Sequence, residues 1–254
     1  MPGLTHAAID TGSATSKFGV PLGQAPGLIE RVEAIPGLEL LGLHVHIGSQ
    51  LLDLGGFARA ADAIAGLGEF GVYDLGGGLG IGYRPDERAP SIAEYAEATV
   101  SALHEHLNPR ARLIVEPGRS MVGRSGVTLY SVITVKRGAR THVAVNGGMG
   151  DNLEPMMYGT RFTPAIVDRE RPPETCDLVG QHCESGDVLA AGVELATPAV
   201  ADVVVMPATG AYCYSLVNNY NGVRRPPVVL VRDGDARLAV RREEMTDLLA
   251  RDML

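Results

Sequence analysis

Three short segments in the first half of the chain carry residue types suited to binding and proton chemistry. Residues 42–50 read GLHVHIGSQ, so His44 and His46 stand two apart and share one face of an extended strand. The Gly48-Ser49 turn that follows offers a hydroxyl and backbone amides to an anion. Residues 74–82, DLGGGLGIG, place five glycines in seven positions directly after an apolar run. Glycine lets the backbone take positive φ and approach a ligand closely, and successive amides then cradle a phosphate. The spacing is not that of the dinucleotide fingerprint G-x-G-x-x-G. Residues 115–119, VEPGR, set Glu116 and Arg119 three apart at a strand end. A buried glutamate beside a cationic or protonated ring partner is held as the anion, and an arginine fork suits carboxylate or phosphate.

The second half adds GQHCESGD (180–187), which puts the Cys183 thiol next to the Glu184 carboxylate, and GAYCYS (210–215), with Tyr212 and Tyr214 ahead of NNYN (218–221). Each cluster taken singly also has an ordinary structural reading: a hydrogen-bonded core histidine, a tight turn, a local ion pair, an inert thiol, tyrosines at the edge of a core. An H-x-H strand also suits a metal, as in a barrel hydrolase built on His44 and His46. That needs further ligands, and His104, His106, His142 and His182 have no supporting spacing.

The elements that must position these residues fall into two textures. Over residues 1–120, apolar strand candidates (40–47, 72–75, 112–115) alternate with helical periodicity (57–70 and 92–106, the latter opened by Pro90-Ser91). This is the βα pattern of a parallel sheet, whose sites gather at the strand ends. A βα unit takes roughly 30 residues, so this half holds around four units, half of a (β/α)8 barrel at most. Over residues 121–254 the texture turns to β-branched runs (127–135, 142–145, 203–206, 228–231) and a short terminal helix (243–250). The expected fold is therefore α/β plus all-β: a partial TIM-barrel domain, then a β domain of sandwich or barrel type.

Composition narrows the class. The chain has 254 residues, a net charge of −8 and an apolar fraction of 45%, which is enough to build a core. The negative charge and scattered arginines argue against a nucleic-acid partner. The longest apolar run is broken by Asp202 and Pro207, which argues against a membrane span, and the segment from Met1 to His6 has no signal-peptide character. Cys176, Cys183 and Cys213 are odd in number with no metal or disulfide spacing, as expected for reduced thiols in the cytoplasm. Only two lysines occur, Lys17 and Lys136.

In this order and spacing, the motifs resemble the diaminopimelate decarboxylases, pyridoxal-phosphate enzymes of the alanine-racemase and ornithine-decarboxylase fold group. The likeness runs from Thr5-His6 and Ser16-Lys17-Phe18-Gly19 to the terminal helix, and Glu184 after Cys183 favours this family over its ornithine-type relatives. It implies decarboxylation of meso-2,6-diaminopimelate to L-lysine. His46 would lie against the pyridoxal 5'-phosphate ring, with Ser49, Gly76, Gly77 and Gly78 holding the phosphate. Glu116, Pro117, Gly118 and Arg119 would line the cofactor, Glu116 keeping the ring nitrogen protonated and Arg119 reaching the substrate. Cys183 would be the proton donor, with Glu184, Tyr158 and Tyr212 contacting the amino-acid substrate and Tyr212 also the cofactor.

The resemblance further implies a homodimer in which the Cys183 loop enters the neighbouring subunit's barrel. The sequence departs from the family at two places. Glu154 stands where the family's D-N-x-R segment has arginine, which bears on recognition of the distal end of the substrate. Neither lysine matches the A/V-K-A/S-N context of the family's cofactor-binding lysine. The expectation is a C-terminal portion of such an enzyme, inactive by itself; the alternative is a non-catalytic binding or regulatory relative.

Overall fold

The computed structural model describes residues 6, 9, 11 and 16–253, so the segment from Met1 to Thr5 lies outside the described residues. The chain divides into two compact units, Met1–Gly123 and Arg124–Leu254.

In the first unit a helix α1 (Ala25–Glu33) opens with Pro26 in its first turn, where a missing amide costs nothing. Three βα steps follow: β1 (Gly42–His44), α2 (Gly55–Ala65), β2 (Val72–Asp74), α3 (Ile92–His106), β3 (Arg112–Ile114) and the single turn α4 (Arg119–Val122). The strands form a parallel sheet in the order β1-β2-β3, with His44, Asp74 and Ile114 in register at one end. Gly42 permits the pairing, because a Cβ there would lie 1.9 Å from the Val72 carbonyl oxygen.

Phe57, Ala60 and Ala61 of α2 bury against Tyr95 and Ala102 of α3 and against Ile47, Leu51, Leu75 and Leu79 beyond the strand ends. The Phe57 and Tyr95 rings meet edge to face at 5.2 Å. Each such large apolar side chain contributes about 1.5–3 kcal/mol on burial. Helix α3 occupies the span its periodicity predicts. Ser91 Oγ accepts the Glu94 amide at 3.1 Å, and the Glu94 carboxylate accepts the Ser91 amide at 2.7 Å, a reciprocal cap. Helix α2 stops at Ala65 rather than running to residue 70, because Gly68 takes φ +125, which no helix continues. The arithmetic of around four βα units is corrected to three strands among the described residues, since α1 occupies the stretch before β1 without a strand of its own.

The second unit contains β4 (Thr128–Arg137), β5 (Thr141–Val145), α5 (Glu154–Tyr158), β6 (Ala165–Ile166), β7 (Pro173–Val179), β8 (Val188–Ala196), β9 (Val203–Met206), β10 (Val228–Arg232), β11 (Asp235–Val240) and α6 (Met245–Leu249). Six strands form one sheet in the order β6-β9-β4-β5-β7-β8. The first residues of β4 pair with β9, and from Val132 onward it pairs with β5 across a register shift. A strand that changes partners at a bulge turns the corner of a sandwich or barrel. Strands β10 and β11 form a separate hairpin about Asp233-Gly234, both at positive φ as a tight two-residue turn requires.

The polar heart of this unit is the Tyr130 hydroxyl, which donates to Asp151 Oδ1 at 2.5 Å while the Gly148 amide donates to Oδ2 at 3.1 Å. Gly147 makes room, since a Cβ there would lie 2.3 Å from the Tyr130 ring. Burial pushes the Asp151 carboxyl up to about 6 against the pull of those hydrogen bonds, and burial likewise raises the Tyr130 phenol.

Two outcomes follow from these packings. Ser91→Ala removes the reciprocal cap and is expected to lower stability by about 1 kcal/mol in urea unfolding. Asp151 keeps its proton longer in the native state than in the unfolded chain. Its contribution is therefore full below the ordinary value of 3.8 and is lost as pH rises through about 6. Asp151→Asn should flatten the fall in stability across that window, measured as urea midpoints from acid to neutral pH; an unchanged slope would contradict the assignment.

Candidate functional site

Because β1, β2 and β3 are parallel, their carboxyl ends lie on one edge, and the loops that leave them carry the three motifs of the first unit. The loops stay in step beyond the strands. The Val45 amide donates to the Asp74 carbonyl at 2.9 Å, the Leu75 amide to Ile114 at 3.1 Å, and the Glu116 amide to Gly76 at 2.9 Å. Side chains at the glycine turn would force them apart. A Cβ would lie 2.7 Å from His46 Nδ1 at Gly76, 2.2 Å from the Glu116 carbonyl oxygen at Gly77, and 2.2 Å from the Gly48 carbonyl oxygen at Gly78. Gly76 and Gly78 also take φ of +70 and +102. From behind, the Tyr95 hydroxyl donates to the Gly76 carbonyl at 3.2 Å.

His46 is oriented by this turn. The Gly77 amide donates to its Nδ1 at 3.1 Å, so the neutral ring carries its proton on Nε2. Burial foremost, and then the neighbouring His44, hold its pKa below the usual histidine value, against the opposing pull of Glu116 and Asp74. Arg119 is buried; its guanidinium donates to the Tyr83 hydroxyl and reaches Ser49 Oγ at 3.5 Å. The expectation of a buried Glu116 is corrected: its side chain is 53% exposed and lies 3.5 Å from His44 Nε2.

The barrel-hydrolase alternative set His44 with His46. His44 groups instead with Asp74 and Glu116, one ligand atom of each lying within 4.8 Å of the others, while His46 Nδ1 is taken by Gly77. Asp74 keeps its place by accepting the Gly76 amide at 2.9 Å.

This edge therefore has two electrostatic ends. One is the Gly76–Gly78 turn, close-packed with room for nothing larger than glycine, with the Asp74 carboxylate bonded to its Gly76 amide; the other is the exposed Glu116 carboxylate beside His44. Backbone at the first could hold a phosphate and the second a protonated ring nitrogen, with the His46 ring, bonded to the Gly77 amide, as a flat surface beside the turn. The residues present fit pyridoxal 5'-phosphate.

The remaining residues lie in the second unit. Cys183 and Glu184 are exposed on the loop between β7 and β8, and the Cys183 amide donates to Asn221 Oδ1 at 3.0 Å. Cys176 and Cys213 are buried. Glu154 and Tyr158 open and close α5; Glu154 is buried and accepts the Thr160 hydroxyl at 3.0 Å. Tyr212 is exposed and takes φ +63, a strained choice for an aromatic residue and one that concentrates at ligand sites.

The sequence motifs did not single out Tyr83 or Tyr95, and named Asn221 only within the NNYN run. Tyr95 was legible as a residue on the buried face of α3, but its hydroxyl contact was not. Tyr83 meets Arg119 across 36 residues and Asn221 meets Cys183 across 38, with no local signal for either.

Comparison with known proteins agrees with this geometry. Residues 3–123 match the family model described as pyridoxal-dependent decarboxylase, pyridoxal binding domain. Over 98% of its length the chain is 46% identical to a diaminopimelate decarboxylase of Actinosynnema pretiosum subsp. auranticum, of which it covers 60%. It is 42% identical to that of Mycobacterium tuberculosis, covering 97% of this chain and 61% of the relative. The crystal structure of diaminopimelate decarboxylase from Helicobacter pylori complexed with L-lysine superposes with a TM-score of 0.90 at 30% identity, covering 97% of this chain and 63% of that one. The chain thus spans about 60% of the length of the curated relatives it matches. Residues 3–123 thus match a pyridoxal-binding domain, and nearly the whole chain is similar to the diaminopimelate decarboxylases.

Proposed function

We propose that this polypeptide forms part of a decarboxylase that converts meso-2,6-diaminopimelate to L-lysine. Its residues up to about 120 would form the cofactor-binding part and the rest a β domain that brings the proton donor. The observation that carries the reading is the turn at Gly76, Gly77 and Gly78, locked between His46 and Glu116 by contacts that no other residue type permits. Bound pyridoxal 5'-phosphate supplies an electron sink for the pair left behind when a carboxylate departs as carbon dioxide.

The chain's own residues would do the rest. Backbone at the glycine turn and the Ser49 hydroxyl bind the phosphate. His46, neutral and held by the Gly77 amide, presents its face to the ring without competing for the ring's charge. Glu116 keeps a proton on the ring nitrogen, and Pro117 and Gly118 line the same edge. Arg119, already anchored on Tyr83 and close to Ser49, brings a fixed positive charge to the substrate side. Cys183 delivers a proton to one face of the α-carbon as a general acid. Glu184, Tyr158 and Tyr212 meet the substrate, and Glu154 replaces a positive charge with a negative one at the end of α5 that would recognise its distal carboxylate. The working form on this reading is a cytoplasmic homodimer with shared sites. Consistent with that, among the described residues no helix is long and apolar enough to cross a membrane.

One observation favours a narrower reading for the chain by itself. Lys17 and Lys136 are its only lysines, and neither stands on β1, β2, β3 or the turns that follow them. The chain alone is then expected to bind the cofactor without covalent attachment and to release no carbon dioxide from diaminopimelate.

Equilibrium dialysis with pyridoxal phosphate tests both parts. Wild-type chain should bind. Gly78→Val should abolish binding, and Glu116→Gln should weaken it about tenfold through loss of the anion at the ring nitrogen. Borohydride should fix no cofactor to any lysine. Binding that survives Gly78→Val would overturn the cradle, and a borohydride-fixed lysine would overturn the non-covalent expectation.

A further inference from the structure

The loop that carries Cys183 and Glu184 is held by groups with no part in the chemistry above. His182 and Asp187, at its two ends, have side chains 0% and 2% exposed, with Nδ1 and Oδ2 2.7 Å apart. The same Asp187 oxygen accepts the His182 amide at 3.0 Å, and the other accepts the Met149 amide at 2.7 Å. The surrounding backbone presses on this pair. A Cβ at Gly148 or Gly180 would lie 2.4 or 2.0 Å from the Asp187 carboxylate, and one at Gly150 would lie 2.6 Å from His182 Nε2. On its other side the His182 ring stacks on Tyr220, centroids 5.9 Å apart and planes inclined by 10°.

Tyr220 is followed by Asn221, in the left-handed region at φ +56, whose Oδ1 accepts the Cys183 amide. Asparagine takes that conformation at small cost, and it projects its acceptor to the one amide next to the thiol. Cys183 is exposed, so water would satisfy its amide equally well. A side chain recruited from 38 residues away therefore contributes little to stability at this point. What it contributes is a fixed position for the Cys183 backbone.

We propose that Asn221, seated by the stack of Tyr220 on the buried His182–Asp187 pair, is a positioning residue for Cys183. The inference rests on reading Cys183 as the proton donor: an acid that serves one face of a carbon has to be presented from a rigid backbone, and a freely moving loop scatters it. His182 and Asp187 anchor the base of the loop; Asn221 fixes its exposed crest.

The test uses the full chain with no cofactor or substrate, reading amide hydrogen exchange over residues 182–187 and the rate of Cys183 alkylation by iodoacetamide. Cys176 and Cys213 are buried, so alkylation of the folded chain reports Cys183. Asn221→Gly keeps the left-handed turn and removes only the acceptor. It should speed exchange at the Cys183 amide about tenfold and raise the alkylation rate, with little change in thermal midpoint. Asn221→Asp restores an acceptor and should return both rates toward wild type. His182→Phe keeps the stack but loses the bond to Asp187, and should loosen the whole loop while the Asn221 contact remains available.

Unchanged exchange and alkylation in Asn221→Gly, or an Asn221→Asp variant as fast as Asn221→Gly, would overturn the proposal. Neither readout involves the cofactor. A chain that shows this pattern yet binds no pyridoxal phosphate would lose the decarboxylase reading alone, and one that binds but lacks the pattern would lose only the role of Asn221.

Discussion

The constraint on which the first unit depends is the closeness of three backbones at the ends of β1, β2 and β3. Gly77 lies so near the Glu116 carbonyl, and Gly78 so near the Gly48 carbonyl, that a single methyl group at either would separate the loops. The parallel register brings the strand ends level, and hydrogen bonds from Val45, Leu75 and Glu116 carry that register into the loops. Tyr95 supports the turn from α3, and the apolar packing of α2 on α3 keeps Tyr95 in place. The reciprocal cap at Ser91 thus acts on the site through the helix it starts.

The chemistry follows from how charge is arranged on this edge. The turn offers backbone dipoles with the Asp74 carboxylate on its Gly76 amide, Glu116 adds an exposed negative charge beside His44, and the Gly77 amide at Nδ1 together with burial disfavours the cation of His46. On the function proposed above, a protonated His46 would place a positive charge against the face of a ring that must itself carry one. On the same proposal the second unit has a different task, presenting the Cys183 thiol from an exposed loop. It does so with a buried acid and imidazole pair at the base of the loop and a single exposed hydrogen bond at its crest.

Much of this was legible in the sequence because its signals are local. The glycine run, the Glu116 to Arg119 segment and the Cys183-Glu184 step each stand within a few residues, and Pro90-Ser91 marks the start of α3 directly. What escaped depends on contacts distant in sequence. Strands β7 and β8 lack a run of β-branched residues, since Glu174 and Asp177 interrupt one and Ala190, Ala191 and Gly192 the other, yet they pair with each other over most of their length. Helix α1 begins with Ala-Pro-Gly, which reads as a turn, although proline is at home in a first helical turn. Glu116 was read as a buried carboxylate at a strand end, and the sheet edge leaves it half exposed. The company of His44, the Tyr83 contact of Arg119 and the Asn221 contact of Cys183 follow from topology, which one sequence does not spell out.

The central claim is that the strand-end turns form a phosphate and ring site for pyridoxal phosphate, and a crystal structure of the chain grown with the cofactor tests it most directly. The account predicts the phosphate on the backbone of Gly76, Gly77 and Gly78 beside Ser49, the ring on His46, and the ring nitrogen at Glu116. Cofactor bound elsewhere, or a ring turned so that its nitrogen points away from Glu116, would contradict it.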